Sequence, residues 1–387
     1  MKNSICFIAA ICASACFLTA CHDDDDDGGM KTCRHNVTFI SSKNGPGDNG
    51  YNDMIVKSEV FFAMCHHDVK TSFVIPSSKD YSAEQVYNIY TRVPDSGDSV
   101  LIVLNGSDYT ELSRSNKSLS TENDLMEKAA LDLRVLAFED DGHDLPQRVH
   151  SFKIQRYGAF YVAGRLLGKK PAVVVAGMKG DPQIEDAVQG FIDGYSLENP
   201  DGPIVCYLAN DYSGFDNADK AVQVCDSVLN TFPKEQLAHK DDSYTNGVCF
   251  VPVAGGSNVG MYAFVHNLRD IWDVDVIGVD EDYNNNSTTI PFSLVLPLWE
   301  ILNEYLEDWY FNIEWPKWQS FGLDSEFHIQ INISPYVVPN FLLRYVPDGR
   351  LDNPATDERI QNKVKELIQE ATEKEKAYEE KLKGGKG

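Results

Sequence analysis

A chain of 387 residues, 43% of them apolar, is long enough for two domains of ordinary size, each with its own core. Its formal charge of −25 at pH 7 excludes a reader of nucleic acid, because phosphate backbones are bound by a basic surface that this composition does not supply.

Residues 1–20 read as a lipoprotein signal peptide. Lys2 precedes an apolar run from Ile5 to Leu18, and Leu18-Thr19-Ala20-Cys21 resembles the lipobox cut by lipoprotein signal peptidase. The run is shorter than the about 20 residues of a spanning helix, so it predicts cleavage rather than a permanent anchor. Cleavage leaves Cys21 as a lipidated N-terminus, and acyl burial at roughly 0.8 kcal/mol per CH₂ holds the protein on a membrane. Residues 21–35 predict an acidic tether, because Asp23 to Asp27 repel one another and cannot pack. The tract looks like the export signal that sends some Gram-negative lipoproteins to the cell surface, and it also fits a plain spacer on a periplasm-facing protein of the outer membrane. Of the remaining cysteines, Cys33, Cys65, Cys206, Cys225 and Cys249 are odd in number and lack zinc-ligand spacing. Cys206 and Cys249 read as buried thiols within strands.

Short β-branched runs then recur with helical patterns between them. Strands are predicted over Val37 to Ile40, Val100 to Leu104, Leu133 to Phe138, Ala172 to Ala176, Ile204 to Leu208, Val248 to Val253 and Val274 to Val279. Ile184, Ala187, Val188 and Phe191 form one helix face, and Val222, Cys225, Val228, Leu229 and Phe232 another. A helix starts near Tyr157, and a charged helix from Asp357 to Lys383 closes the chain. The alternation predicts an α/β fold of two Rossmann-like lobes with parallel sheets joined by a hinge. Lobe 1 takes residues 36–155 plus about 288–345, and lobe 2 takes 156–287 plus the C-terminal segment 346–387. Ligands of such sheets bind beyond the carboxyl ends of the strands. That rule brings the loops Ser41 to Asn52, Asn105 to Tyr109, Ala209 to Asp216, Gly255 to Gly260 and Asp280 to Asn285 to one cleft.

Several of those loops, in this order, resemble the basic membrane protein family of nucleoside-binding lipoproteins, a branch of the type I periplasmic binding proteins. Gly47-Asp48-Asn49-Gly50-Tyr51-Asn52 resembles the family's opening D-D-x-S-F-N element. Gly177-Met178 and Gly190-Phe191-x-x-Gly194 look like its second-lobe strand and helix, and Val253-Ala254-Gly255-Gly256-Ser257-Asn258-Val259-Gly260 is similar to its A-A-G-G-x-G-x-G turn. Val276 to Asp282 resembles V-I-G-V-D-x-D, and Phe321-Gly322-Leu323 the Y-G-L after the last long helix. The resemblance implies two lobes that close on a small ligand handed to an ABC permease. Carried over by position, it implies that Tyr51 stacks on a base, Asn52 and Asp108 hydrogen-bond, Gly255 and Gly256 offer the turn, Asp280 holds ribose, and Tyr212 or Phe215 covers the other base face. Two family positions differ: the early aspartate falls on Ser42, and the lysine of S-x-x-K falls on Leu296.

Other chemistries fit less well. Gly255-x4-Gly260 has P-loop spacing, but Met261 and Tyr262 stand where Lys and Ser/Thr belong. Asp280-Glu281-Asp282-Tyr283-Asn284 opens like a calcium loop, yet Asn285 replaces the turn glycine and Pro291 the bidentate Glu. Gly255-x-Ser257-x-Val259 lacks the last glycine of a nucleophile elbow, and neither His66-His67 nor His143 sits in a catalytic pattern. The expectation is a non-enzymatic, lipid-anchored solute-binding protein with no cofactor and no metal, taking a nucleoside-like ligand. The alternative is a surface lipoprotein that binds a sugar-like ligand or serves as a scaffold or adhesin on the same fold.

Overall fold

The computed structural model describes residues 35–384 except 77–81, 91–98, 116–132, 141, 240–244, 284–288, 338–339 and 347–350. The signal peptide, Cys21, the aspartate run and Cys33 lie outside the described residues, as do Asn284 to Asn286.

The first half runs β1 (His35–Ser41), α1 (Tyr51–Cys65), β2 (Val69–Val74), α2 (Ala83–Tyr90), β3 (Ser99–Asn105), α3 (Thr110–Ser115), β4 (Leu133–Phe138) and β5 (Val149–Ile154). With β12 (Trp318–Phe321) these strands form a parallel sheet ordered β2-β1-β3-β4-β5-β12. The unbroken apolar run of β3 is what a doubly covered strand requires. Leu101 and Val103 enter one core cluster, and Val100, Ile102 and Leu104 enter another on the opposite face.

The second half contributes α4 (Tyr157–Leu167), β6 (Ala172–Met178), α5 (Pro182–Tyr195), β7 (Ile204–Ala209), α6 (Ala218–Leu229), α7 (Lys234–Leu237), β8 (Val248–Val253), α8 (Asn258–Leu268), β9 (Val274–Val276) and β10 (Gly278–Asp280). Its sheet is parallel and ordered β7-β6-β8-β9. In β6 the faces again divide, Val174 and Ala176 to one core and Val173 and Val175 to the other. Helix α5 lies close on α4 because Gly190 and Gly194 carry no Cβ. Built there, one would stand 2.1 Å from the Tyr157 carbonyl and 2.2 Å from that of Tyr161. The predicted strand Val274 to Val279 breaks at Ile277, whose N–H donates to Phe250 O at 3.1 Å, and β10 leaves to pair with β11 (Phe292–Val295).

That pairing, with β13 (Gln330–Ile333), makes a three-stranded sheet of its own, ordered β10-β11-β13. The stretch 288–345 was expected in lobe 1, yet β11 pairs in parallel with β10, and β13 pairs antiparallel with β11. Only α9 (Leu298–Tyr310), which packs on α1, and β12 return to the six-stranded sheet. The short helix α10 (Asn340–Leu343) is followed by Arg344, which bonds to the Arg165 and Leu166 carbonyls of α4. A four-residue apolar strand suits either lobe, and only the partner's unpaired edge decides. The last helix, α11 (Glu358–Gly384), packs along α4 and buries Ile360, Val364 and Leu367. The chain therefore crosses between the lobes three times, at 154–157, 295–298 and 321–330.

Candidate functional site

The carboxyl ends of both sheets open on one cavity of about 120 Å³ between the lobes. All eight residues singled out from sequence line it: Tyr51, Asn52, Asp108, Tyr212, Phe215, Gly255, Gly256 and Asp280. Each is held there by a local reason.

Helix α1 begins at the cavity because Asp48 caps it from outside the first turn. Asp48 Oδ1 accepts the N–H groups of Gly50 and Asp53 at 3.0 and 3.1 Å, and Oδ2 accepts that of Asn52 at 2.9 Å. Asp53 answers by accepting from the Gly47 and Asn49 N–H groups at 2.7 and 2.8 Å. The two carboxylates fix the loop and thereby aim Tyr51 and Asn52. Asn52 is itself clamped, its Oδ1 accepting from Ser42 Oγ at 3.0 Å and its Nδ2 donating to Asp48 at 2.9 Å. The Tyr51 hydroxyl is buried with no partner among the described residues, and that burial pushes its pKa far up. Asp108 accepts the Lys43 N–H at 3.1 Å, while its Oδ1 is buried without a partner. Burial raises its pKa to about 6. Asp108 thus supports the Ser42-Lys43 turn as well as lining the cavity.

On the facing lobe, Tyr212 to Phe215 form a 3-10 turn capped by Asp211. Gly214 presses on Gly177, where a Cβ would lie 1.9 Å from the Gly177 carbonyl oxygen. The Phe215 ring covers Gly177 and Gly255 and stands 6.0 Å from the Tyr212 ring. Gly255 has φ +51°, the left-handed region that favours glycine. Ser257, of the near nucleophile elbow, is fully buried; it accepts the Asn217 N–H and donates to the Gly214 carbonyl, each at 2.8 Å. Its hydroxyl ties one cavity turn to the next.

Asp280 ends β10 with φ +79°, a conformation costly for an L side chain and held by tertiary contacts. Its carbonyl accepts the Leu296 N–H at 3.0 Å, and among the described residues its carboxylate accepts no hydrogen bond. Burial drives its pKa to about 7 against the pull of the Arg156 charge, and Asp48, Glu281 and Glu139 add to the rise.

Sequence reasoning missed Arg156. It stands at the first crossing, 8% exposed, and lines the cavity. Glu139 grips its guanidinium with Oε1 on Nη2 at 2.8 Å and Oε2 on Nη1 at 3.2 Å. Burial opposes the charge, but Glu139 outweighs it and the pKa rises. Asp48 and Asp181 were missed too, the latter capping α5 through the Gln183 and Ile184 N–H groups. An apolar floor of Phe160, Ile184, Leu294, Leu296 and Ile329 completes the cavity. The lobes touch across its rim, where Lys57 pairs with Glu281 at 2.6 Å, Asn44 Nδ2 donates to the Tyr212 carbonyl at 3.4 Å, and the Tyr283 hydroxyl donates to the Asn49 carbonyl.

No family model and no curated protein matches the sequence. Solved structures do. The chain is similar to an ABC transporter system solute-binding protein from Aeropyrum pernix K1, at 18% identity over 88% of this chain and 86% of that one, with a TM-score of 0.62. It is similar to an ABC transporter periplasmic solute-binding protein from Actinobacillus succinogenes 130z with bound D-allose, at 14% identity over 80% and 98% of the two chains, with a TM-score of 0.51. The chain has the type I periplasmic-binding-protein fold.

A transcriptional activator of the comK gene from Bacillus halodurans shares the type I fold, at 15% identity over 81% of this chain and 95% of that one, with a TM-score of 0.54. The type I fold thus carries more than one function, and the cavity side chains must decide. The finer likeness to the basic membrane protein family rests on the motifs alone. At its two altered positions, Ser42 binds Asn52, and Leu296 joins the apolar floor.

Proposed function

We propose that the chain is a lipid-anchored solute-binding protein, held by Cys21 on the outer membrane, whose lobes close by hinge motion on a nucleoside-like ring for ABC-type import. The reading is carried by one observation. The cavity between the lobes brings together three aromatic side chains, Tyr51, Tyr212 and Phe215, and the open carboxylate of Asp280. Rings stack on a base irrespective of its identity, and a carboxylate accepts from paired hydroxyls. The motif likeness to nucleoside-binding lipoproteins supports the same ligand class. The protein performs no covalent chemistry. The D-allose bound by the Actinobacillus protein favours a second reading, a sugar in the same place, since ring hydroxyls satisfy Asp280 equally well.

A thermal-shift panel of nucleosides, free bases and sugars tests the proposal. A nucleoside at 100 times its Kd adds about 2.7 kcal/mol and raises the melting midpoint. A shift with sugars alone overturns base stacking. No shift with any solute leaves the scaffold reading standing. Protease shaving of intact cells locates the anchored chain: digestion places it on the cell surface, and survival places it inside the outer membrane.

A further inference from the structure

Lobe 1 leaves a group of large apolar side chains in solvent at the end far from the cleft. The cavity takes the carboxyl ends of its parallel sheet, so the amino ends of the strands lie at the opposite side. There β1 begins at His35, in register with Val69 at the start of β2, and the last turn of α1 therefore stands beside the point where the chain enters the fold. Helix α9 ends at the same place. The His35 ring is 5.5 Å from that of Trp309 and 5.4 Å from that of Tyr310, and the His66 ring is 4.1 Å from that of Tyr310. Arg134, at the amino end of β4, fixes the turn after α9 by donating to the Ile313 carbonyl and the Asn312 side chain, each at 2.7 Å. Around this entry point Met64 is 62% exposed, Phe311 65% and Ile313 49%. Phe61, on the same helix as Met64, sets its ring 5.3 Å from that of Trp299 and extends the surface up the seam of α1 and α9.

Single exposed apolar residues need no explanation, but four large ones on two packed helices and the turns that end them form a patch. Two carboxylates beside it are already engaged. Glu307 bonds to His66 at 2.7 Å, and Asp68 accepts the Tyr310 hydroxyl at 3.0 Å. The occupant is indicated by the chain that enters here. Cys21 lies 14 positions before His35, a reach of at most about 50 Å, so an acyl anchor on Cys21 keeps lipid close to this face and makes a weak contact with it effectively intramolecular. A second copy fits less well, since two chains of charge −25 repel. We propose that this end of lobe 1 rests on the membrane, with Met64, Phe311 and Ile313 entering the boundary between headgroups and acyl chains. The seven residues of β1 then hold the cleft about 20 Å from the lipid and leave lobe 2 on the far side, free to move. The inference rests on the lipid anchor proposed above and adds an orientation to it.

The lipidated chain, floated on vesicles of phosphatidylethanolamine and phosphatidylcholine that carry a diazirine on one acyl chain, tests it on irradiation. Peptides covering 61–68 and 310–314 take up lipid label as well as the N-terminal peptide, a result that needs no variant to fold. Phe311→Asp with Ile313→Asp, both at exposed positions, removes the label from those two segments and keeps it at the N-terminus. Cys65, exposed beside Met64, gives a second reading: on the vesicles a water-soluble maleimide modifies it roughly tenfold faster in the double variant than in the unaltered chain, while Cys206 of lobe 2 reacts equally in both. Label confined to the N-terminus, or equal Cys65 rates, overturns the membrane-resting face and leaves the anchor intact. A bismaleimide that joins Cys65 of one chain to Cys65 of another, with no lipid label on either segment, gives the patch to a second copy and likewise overturns it. A chain that does not float and carries no lipid on Cys21 overturns the anchor and this inference together.

Discussion

At the scale of single residues, the cavity works through groups whose partners are incomplete. Tyr51 lines it with a buried, unpartnered hydroxyl, so the ring's remaining use is its face. Tyr51→Ala weakens nucleoside affinity by about 1 to 3 kcal/mol if the ring stacks on a base, as isothermal titration reads directly. An unchanged affinity assigns the ring to packing of the first turn of α1. Asp280 carries a pH signature. Its pKa is raised by burial to about 7, so between the unfolded value of 3.8 and 7 the folded chain holds more protons than the unfolded one. Its contribution to stability is therefore present in full below about pH 4 and lost as pH rises through about 7. The ligand-free melting midpoint falls between about pH 4 and 7, and Asp280→Asn removes a share of that fall worth about 2 kcal/mol after allowance for its partial exposure. Hydroxyls donated to Asp280 favour its ionised form, so binding releases protons and tightens as pH rises across the same window. Titration in buffers of different ionisation enthalpy measures that release, and its absence removes Asp280 from the ligand contacts.

At the scale of elements, the turns after the strands matter more than the strands. Phe215 reaches the cavity only because Gly177 at the end of β6 leaves room. A Cβ there would stand 2.7 Å from its ring. Gly177→Ala displaces that ring or strains the turn at a cost of about 1 to 3 kcal/mol, and it lowers ligand affinity while the sheet's far-ultraviolet signal is kept. The two histidines that follow α1 divide. His66 packs against Phe62 and Tyr310 and bonds to Glu307 at 2.7 Å, a seam between α1 and α9, while His67 is exposed. Strand β5 escaped sequence reading because V-H-S-F-K-I places polar residues inside a sheet. Ser151 is fully buried and donates to the Ala137 carbonyl at 2.6 Å, and Lys153 is buried against Asp186 at 2.7 Å. Hydropathy registers such residues as exposed, since it cannot see their partners.

At the scale of the whole molecule, the C-terminal helix braces the hinge. Glu375, 4% exposed, accepts the Gly158 N–H at 2.9 Å and the Leu323 N–H at 2.8 Å, groups that lie beside two of the three crossings. Tyr378 stacks on Tyr157 with ring centroids 4.2 Å apart and donates to Asp186, which also holds Lys153 of lobe 1. Glu375→Ala strands two buried donors and destabilises the protein by about 2 to 4 kcal/mol, read as a lower denaturation midpoint. Glu375→Gln keeps the volume and one acceptor, and it costs less. Equal stability of all three forms would show that the two donors find other partners.

The sequence by itself determined the alternation of strands and helices and the loops that face the cleft, because apolar periodicity and glycine turns are local properties. Tyr51, Asn52, Gly255 and Asp280 were legible for that reason: each sits in a short motif at the end of a strand or the start of a helix. Only the tertiary structure decided that β11 and β13 join the second lobe, that Glu139 and Arg156 meet 17 positions apart at the first crossing, and that Glu375 closes on two crossings from the far end of the chain. Those choices depend on which edges and charges remain unpaired once the sheets have formed, and no window of neighbouring residues contains that information.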